Sequence, residues 1–275
     1  MCGIAGLISR GSQAAELVVK EMVKAISHRG PDGAAFYVHE SMALGMCRLS
    51  INDVSGGMQP LYNAAKTVAV LYNGEIYNYL ALRRELEKDG VIFRTHSDGE
   101  VICHLYDRFG SDVFSHLDGM FAIALWDQTI GELLLARDIP GEKPLYYHQG
   151  ENGLFAFASE LAAFRTVPGI DLTLNEQAFW DMPTFLWVPE PETVYRNIRA
   201  LPRAHYLRIR ARQVSLHPYS NNFDAIRSDF DTATPNEVIA EIRRVVEGSI
   251  KSRLLSDVPV GSFLSGGLDS SIVAT

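Results

Sequence analysis

The chain has 275 residues, of which 47% are hydrophobic and 21% are charged, a balance typical of globular proteins and not of disordered or fibrous ones. Its net charge of -8, without a long basic run, argues against nucleic acid or an anionic membrane as a partner and favours small-molecule substrates. The N-terminus lacks a signal-peptide pattern, and no stretch approaches the roughly 18 apolar residues of a membrane span, so we expect a cytoplasmic protein.

The cysteines are three and widely spaced, without a C-x-x-C pair, which disfavours both a disulfide framework and a zinc site. The histidines are scattered as well, so we predict no structural metal. Cys2 differs by position, because removal of Met1 would leave it a free α-amino group with a pKa near ~8 that can take the thiol proton. The alternative is a small buried hydrophobe, which is our interpretation of Cys47 and Cys103.

The predicted helices of the first two hundred residues follow apolar periodicity and capping signals. They run from 13 to 27, from the N-cap Asn78 to Lys88, and from Ser97 to about Gly110. Ser97 and Glu100 have the spacing of a capping box. A loop, HRGPDG, occupies 28–33.

Short segments rich in β-branched and aromatic residues, separated by turn residues, predict strands joined as antiparallel hairpins. They cover 67–72, 120–127, 132–138, 144–148 and 154–159. Helices beside runs of adjacent strands indicate a layered α+β domain, which we place at 1–215.

A polar, aperiodic stretch around 219–237 predicts a linker, placed at 216–235, before a second unit at 236–275. Thr234 and Glu237 form a capping box at the start of a helix, and a strand-like segment follows at 258–264. About 40 residues cannot enclose a core alone, so we expect the chain to be a fragment or truncation of a longer protein.

The sequence SGGLDSS, at 265–271, lies between this strand-like segment and the start of a helix. A glycine-rich turn at that point can cradle an anion on converging N–H groups. It is not a Walker A loop, which needs a lysine before its final serine or threonine. The alternative is a simple glycine-rich turn between a strand and a helix.

Several further motifs, in order, resemble the glutaminase domain of class II, N-terminal-nucleophile amidotransferases over about the first 215 residues. They are MCGIAGLI, HRGPDG, RLSI, GGMQPL, NGEIYNY, HSDGEV, LDGMFAIALWD and ARDIPGEKPLYY. With SGGLDSS after the linker, the chain is similar to the glutamine-dependent asparagine synthetase family. The resemblance implies a layered αββα sandwich of antiparallel sheets, followed by the truncated start of an α/β adenylating domain.

The resemblance also implies roles in hydrolysing glutamine, for which no cofactor is needed. Cys2 would be the nucleophile, Arg48 would bind the substrate carboxylate, and Asp98 and Glu75 would face its ammonium group. The side-chain amide of Asn73 and the N–H of Gly74 would stabilise the oxyanion.

Each of these residues also has an ordinary structural interpretation. Arg48 could be a surface residue at a strand end, Asp98 a first-turn acid favoured by the helix dipole, and Glu75 an exposed turn acid. Asn73 and Gly74 could form a hairpin turn, since Asn-Gly is a frequent tight-turn pair.

For the second unit, the resemblance implies an ATP site that would need Mg²⁺. Its phosphate-binding residues would be Ser265, Gly266, Gly267, Asp269, Ser270 and Ser271, with Asp269 holding the metal. The implied function is ATP-dependent amidation of a carboxylate, namely aspartate, by ammonia from glutamine. We expect the chain as given to keep only the glutaminase half, and a homodimer is compatible with the resemblance.

One segment departs from the family pattern, because Leu201 to His205 reads LPRAH where L-P-P-G-H is usual. Relatives that amidate sugar-linked or other carboxylates share both motifs, which leaves the acceptor open. SGGLDSS argues against a sugar-phosphate amidotransferase, and Cys2 argues against a β-lactam-forming relative. A non-catalytic binding module would require loss of a key group, whereas the implied site residues are all present.

Overall fold

The computed structural model describes residues 2–9, 12–150, 153–220 and 233–275. Its strands are β1 (Gly3–Ile8), β2 (Gly33–His39), β3 (Met42–Arg48), β4 (Leu61–Tyr62), β5 (Val68–Ile76), β6 (Gly119–Asp127), β7 (Glu132–Arg137), β8 (Tyr146–Gln149), β9 (Phe155–Ala158), β10 (Arg199–Ala200), β11 (His205–Arg210) and β12 (Gln213–Pro218). Its α-helices are α1 (Ser12–Ala25), α2 (Tyr79–Lys88), α3 (Glu100–Phe109), α4 (Glu176–Phe185), α5 (Pro235–Ser252) and α6 (Leu268–Ala274).

The strands form two antiparallel sheets. The first has the order β10-β8-β9-β1-β3-β2, and the second has the order β12-β11-β7-β6-β5-β4. Strand β1 pairs with both β3 and β9, and β5 pairs along its whole length with β6. Every pairing between named strands is antiparallel, and short hairpin connections join β2 to β3, β4 to β5, β6 to β7, β8 to β9 and β11 to β12.

Three hydrophobic clusters separate four layers. Side chains of both sheets, such as Ile4, Leu71 and Phe157, meet in a central cluster. Helix α1 covers the outer face of the first sheet, and α2 and α3 cover the outer face of the second. The expected α+β sandwich of αββα layers is therefore confirmed.

The first three strands were not among those expected. Strand β1 reads GIAGLI and β3 reads MALGMCR, and both are rich in glycine, alanine or methionine instead of β-branched residues. Both strands are almost entirely buried because they pack between the second sheet and α1. Residue preferences for strands do not include burial between two layers, and this burial explains why the strands form although their residues do not predict them.

Strand β5 extends beyond the expected segment as far as Ile76, and therefore includes Asn73 and Gly74. Asn73 faces Ala122 of β6 in the ladder, so the Asn-Gly pair does not form a hairpin turn. A side chain at Gly74 would collide with the main chain of β6 at Met120. Close approach of the two strands explains the glycine.

The capping box expected at Ser97 does not form. Helix α3 begins at Glu100, whose carboxylate instead accepts hydrogen bonds from the N–H groups of Arg94 and Thr95 at 2.8 and 2.7 Å. The capping box of Thr234 and Glu237 at the start of α5 is confirmed.

The segment at 258–264, expected as a strand, has no strand structure, and that expectation is wrong. An extended segment needs a neighbour to pair with, and none of the described residues beyond Pro218 forms a strand. Most of the expected linker, 221–232, lies outside the described residues, and its first residues, 216–218, complete β12. No helix in the described part of the chain is long and apolar enough to cross a membrane.

Candidate active site

The six residues that the resemblance assigns to glutamine hydrolysis line one pocket, to which both sheets contribute. Cys2 precedes β1, Arg48 ends β3, and Asp98 lies in the loop before α3. Asn73, Gly74 and Glu75 follow one another on β5. The antiparallel sandwich thus gathers residues that are up to 96 positions apart, from Cys2 to Asp98.

The Cys2 thiol is half-buried at the base of this pocket. Its Sγ lies 3.4 Å from the N–H of Leu49, which donates to it, and 3.6 Å from the Leu49 carbonyl. Burial raises the pKa of Cys2, while the contact with Leu49, the positive amino terminus and Arg48 act in the opposite direction. The thiol therefore needs a nearby base to become a thiolate at neutral pH.

Arg48 is 5% exposed and is not a free surface residue. Its Nη2 donates to the carbonyls of Asp53 at 2.7 Å and Asn52 at 3.0 Å. The Asp53 carboxylate accepts from the N–H of His96 at 2.9 Å, which ties this loop to the one that carries Asp98. Backbone carbonyls therefore hold the guanidinium on the pocket wall, where it can meet a carboxylate.

Asn73 has the most informative environment in the pocket. The residue is 1% exposed, and its Nδ2 is buried without a hydrogen-bond partner among the described residues. An unpaired buried donor costs about 1 to 3 kcal/mol. Such a cost is tolerated where a ligand or a developing charge supplies the missing acceptor.

Asp98 and Glu75 form the acidic side of the pocket. Asp98 is 2% exposed and accepts hydrogen bonds from the Tyr72 hydroxyl at 2.5 Å and the Ile76 N–H at 2.7 Å. Burial raises the pKa of Asp98, and burial together with the Asp98 charge raises the pKa of Glu75. Two carboxylates that are costly to ionise together favour a cation between them.

Three further residues, for which the sequence predicted no role, contribute to this site. Lys143 also lines the pocket, and burial lowers its pKa. Arg29 donates from Nε to the Cys2 carbonyl at 2.9 Å and pairs with Glu160 at 2.7 Å. Arg29 and Lys143 belong to the motifs HRGPDG and ARDIPGEKPLYY, but nothing in the sequence indicates that Tyr72 contacts Asp98.

Of the residues expected to bind ATP, Ser265, Gly266 and Gly267 form an exposed turn before α6. Asp269, Ser270 and Ser271 lie in the first turn of α6, and none of the six lines the pocket around Cys2. Gly266 has a φ of 82° and open space around its Cα, so its backbone is accessible to a phosphate. The hydroxyls of Ser265 and Ser270 lie 3.0 Å apart, and those of Ser270 and Ser271 donate to the Gly267 carbonyl. Asp269 supplies one carboxylate, which together with nucleotide phosphates suits Mg²⁺.

Two protein-family models match separate stretches of the chain. A family model described as "Glutamine amidotransferase domain" matches residues 1–220, and one described as "Asparagine synthase" matches residues 241–275.

Curated relatives match the chain over its whole length. Asparagine synthetase [glutamine-hydrolyzing] 1 of Bacillus subtilis (strain 168) is 36% identical, with 100% of this chain and 43% of the relative covered. Asparagine synthetase B [glutamine-hydrolyzing] of Escherichia coli (strain K12) is 39% identical, with 100% of this chain and 44% of the relative covered. The chain thus spans less than half the length of these relatives.

Two solved structures share the fold. Glutamine phosphoribosylpyrophosphate amidotransferase from B. subtilis, complexed with ADP and GMP, has a TM-score of 0.62 at 22% identity, covering 80% of this chain and 50% of that one. The structure of the allosteric regulatory enzyme of purine biosynthesis has a TM-score of 0.61 at 23% identity, covering 80% of this chain and 50% of that one. The chain belongs to the glutamine amidotransferase domain family, and its sequence continues into the start of an asparagine synthase domain.

Proposed function

We propose that the chain hydrolyses glutamine with Cys2 as the nucleophile, and that the ammonia serves the ATP-dependent amidation of aspartate in a glutamine-hydrolysing asparagine synthetase. The observation that carries the proposal is the unpaired Nδ2 of Asn73 in the same pocket as the Cys2 thiol. A buried donor beside a nucleophile is the arrangement needed where an amide oxygen becomes negatively charged.

The pocket offers complementary groups for the amino-acid end of glutamine. Arg48 can pair with the α-carboxylate through its planar fork. Asp98 and Glu75 can bind the α-ammonium group, whose charge would offset the repulsion between the two carboxylates. Both contacts would hold the side-chain amide near Cys2, which converts the attack into an intramolecular reaction.

In the first chemical step, the Cys2 sulfur forms a bond with the amide carbon. The α-amino group exposed by removal of Met1 takes the thiol proton and passes it to the leaving nitrogen. Asn73 and the Gly74 N–H stabilise the oxyanion until the carbon–nitrogen bond breaks and ammonia leaves. Water then attacks the thioester, which releases glutamate and restores the thiol.

A second pocket adjoins the first and suits transfer of ammonia. Ile51, Glu75 and Met120 line both pockets, and the second is also lined by 255–256 and 258–260 of the C-terminal segment. This continuity supports passage of ammonia toward that segment. When bound at 265–271, ATP would supply the energy that activates a carboxylate for amidation.

The acceptor is the part of the proposal that rests on relatives alone. Proteins named asparagine synthetases are 36% and 39% identical to the chain, which favours aspartate over a sugar-linked carboxylate. A cytoplasmic location belongs to the same proposal, because the nucleophile must remain a thiol and all three cysteines are free.

Substitution of Asn73 tests the glutaminase assignment. We expect Asn73→Ala to lower kcat for glutamine hydrolysis by about 10²- to 10³-fold with little change in KM, because the donor acts on charge that develops during the reaction. Thermal stability should not fall, because the variant removes a buried Nδ2 that has no hydrogen-bond partner among the described residues.

The matched control is Asn197→Ala, which removes an exposed amide that bonds to Asp171 at 2.8 Å far from this site. It should hydrolyse glutamine like the unmodified chain. Equal kcat values for Asn73→Ala and the unmodified chain would refute the oxyanion role, and no glutamate from the unmodified chain would refute the glutaminase function.

A further inference from the structure

The hydroxyl of Tyr72 makes a buried hydrogen bond to the carboxylate that faces the ammonium group in the proposed function. Tyr72 is 5% exposed, and its hydroxyl donates to Asp98 Oδ1 at 2.5 Å. The other carboxylate oxygen accepts from the Ile76 N–H at 2.7 Å. Two donors from β5 therefore hold both oxygens of Asp98, and only one of them is a side chain.

Tyr72 itself is fixed from two directions. The side-chain amide of Gln59 donates to the Tyr72 carbonyl at 3.1 Å and accepts from its N–H at 2.7 Å. The edge of the Tyr72 ring packs against Gly99, where even a methyl group would collide with it. The phenol therefore has one position, and that position brings its hydroxyl to Asp98.

The charge environment makes this hydrogen bond consequential. Burial raises the pKa of Asp98, whereas the Tyr72 hydroxyl and then the Ile76 N–H lower it. Burial and the Asp98 charge raise the pKa of Tyr72 well above its usual range, so the phenol keeps its proton and always donates. A donor that favours the charged carboxylate opposes the effect of burial.

Other groups also act on Asp98 and must be considered in any pH dependence. Glu75 of β5, the Cys2 thiol before β1 and Tyr79 at the start of α2 interact electrostatically with Asp98. Arg48 and Lys143 line the same pocket. All of these groups remain present when the Tyr72 hydroxyl alone is removed, so the comparison changes one oxygen and no other side chain.

We propose that Tyr72 is a positioning residue whose hydroxyl sets the orientation and charge of Asp98 for binding the ammonium group of an α-amino acid. The inference rests on the proposed function. Tyr72 also lines the pocket, but its hydroxyl is bonded to Asp98, so its effect on the ammonium group acts through that carboxylate. Gly99 is the residue that makes room for its ring. Tyr72 should therefore govern substrate affinity and its pH dependence, and leave the bond-breaking steps at Cys2 unchanged.

The test is the kinetics of glutamine hydrolysis by Tyr72→Phe, which removes one oxygen, across pH values from acidic to alkaline. We expect KM near neutral pH to rise by about 10- to 100-fold, the loss typical of a hydrogen bond to a charged group. The value of kcat should stay within about threefold. The rise in KM that accompanies acidification should begin at a higher pH than in the unmodified chain, because Asp98 has lost a donor that favours its charged form.

Tyr106→Phe is the matched control, since Tyr106 is also a buried tyrosine that donates to an aspartate, Asp127, at 3.1 Å, but it lies outside the pocket. The Tyr106→Phe variant can lose as much stability as Tyr72→Phe, but its KM for glutamine should depend on pH as in the unmodified chain. This control separates a role in the pocket from a general effect on folding.

A double-mutant cycle with Gly99→Ala supplies a second measurement. The added methyl group should displace the Tyr72 ring and raise KM in the Tyr72 background, but add little once Tyr72→Phe has removed the hydroxyl. Fully additive effects, or a Tyr72→Phe curve of KM against pH that coincides with that of the unmodified chain, would overturn the proposal. Absence of glutaminase activity in the unmodified chain would instead refute the proposed function, so the two failures are distinguishable.

Discussion

At the scale of single residues, Glu100 illustrates how a buried carboxylate can organise a site without lining it. The residue is 2% exposed and accepts hydrogen bonds from the N–H groups of Arg94 and Thr95 and from the Thr95 hydroxyl at 2.6 Å. His104 lies 3.5 Å from the same carboxylate. These contacts fix the loop that leads to Asp98.

The pKa of Glu100 makes its contribution to stability dependent on pH. Burial would raise this pKa, but the contacts with His104, Thr95 and Arg94 outweigh burial and lower it to about 2, from 4.5 for an ordinary glutamate. Because the folded chain holds the proton less tightly, the stabilisation is fully present above pH 4.5 and is lost as pH falls through 2.

We therefore predict that Glu100→Gln lowers the free energy of unfolding by about 2 to 3 kcal/mol at pH 7, and by much less near pH 2. Urea unfolding at both pH values measures the difference. Glu87→Gln, which removes an exposed ion pair with Arg83, should cost less than about 1 kcal/mol. An equal loss at the two pH values for Glu100→Gln would show that its charge is not responsible.

The candidate residues of the site could be identified from the sequence only through resemblance to a family. Cys2 precedes a strand of one sheet and Asn73 lies on a strand of the other, and neither spacing nor composition indicates that they line one pocket. The tyrosine of LYNGEI is an ordinary strand residue by pattern. Its contact with Asp98 depends on the packing of β5 against the loop before α3, which the sequence does not specify locally.

At the scale of secondary structure, the turn before β11 carries a residue in an unfavourable conformation. Ala204 has a φ of 57°, and its N–H and carbonyl bond to Asp138 and Tyr219, both at 3.0 Å. In LPRAH this residue stands where the family pattern L-P-P-G-H has glycine. The structure explains that usage, because glycine adopts positive φ without a steric cost.

We predict that Ala204→Gly stabilises the chain by about 0.5 to 1 kcal/mol. Relief of the left-handed conformation is worth roughly 1 to 2 kcal/mol, and the greater freedom of glycine in the unfolded chain costs about 0.4 to 1 kcal/mol. Ala64 lies at an exposed turn position and does not have a positive φ. Ala64→Gly should therefore destabilise the chain. Urea unfolding of both variants measures the signs, and destabilisation by Ala204→Gly would contradict the explanation.

Secondary structure was predicted where local signals and packing agree. The capping box at Thr234 and the apolar periodicity of α1 are local properties, and both helices form as expected. Strand β1 and the failed strand at 258–264 depend on partners. Strand β1 has a neighbouring strand on each side and forms despite its glycines. The segment at 258–264 has no neighbouring strand among the described residues and does not form one.

At the scale of the whole molecule, the C-terminal segment contacts the loop that holds Arg48. The Asp257 carboxylate accepts from the Asp53 N–H at 2.7 Å, and the Asp257 N–H donates to the Ile51 carbonyl at 3.2 Å. Arg253 pairs with Glu142 at 3.4 Å and lies over the Tyr77 ring. The segment that leads to the expected ATP loop thus supports the wall of the glutamine pocket.

We predict that Asp257→Ala raises KM for glutamine by about 3- to 10-fold, because Asp53, whose carbonyl orients Arg48, loses the acceptor of its N–H. Steady-state kinetics measure this change, and kcat should be little affected. Glu247→Ala, which removes an exposed carboxylate from α5, should leave KM unchanged. A normal KM in Asp257→Ala would show that the contact does not support the pocket.

The central claim is that Cys2, freed of Met1, is the nucleophile of a glutaminase. The direct test is the intact mass of the purified chain before and after reaction with a glutamine analogue that carries a diazoketone in place of the amide. We predict a chain without Met1 that gains one adduct, and the same adduct on Cys47→Ala, which removes a buried thiol. Cys2→Ala should gain none, and an adduct on Cys2→Ala, or a chain that reacts with Met1 retained, would contradict the account.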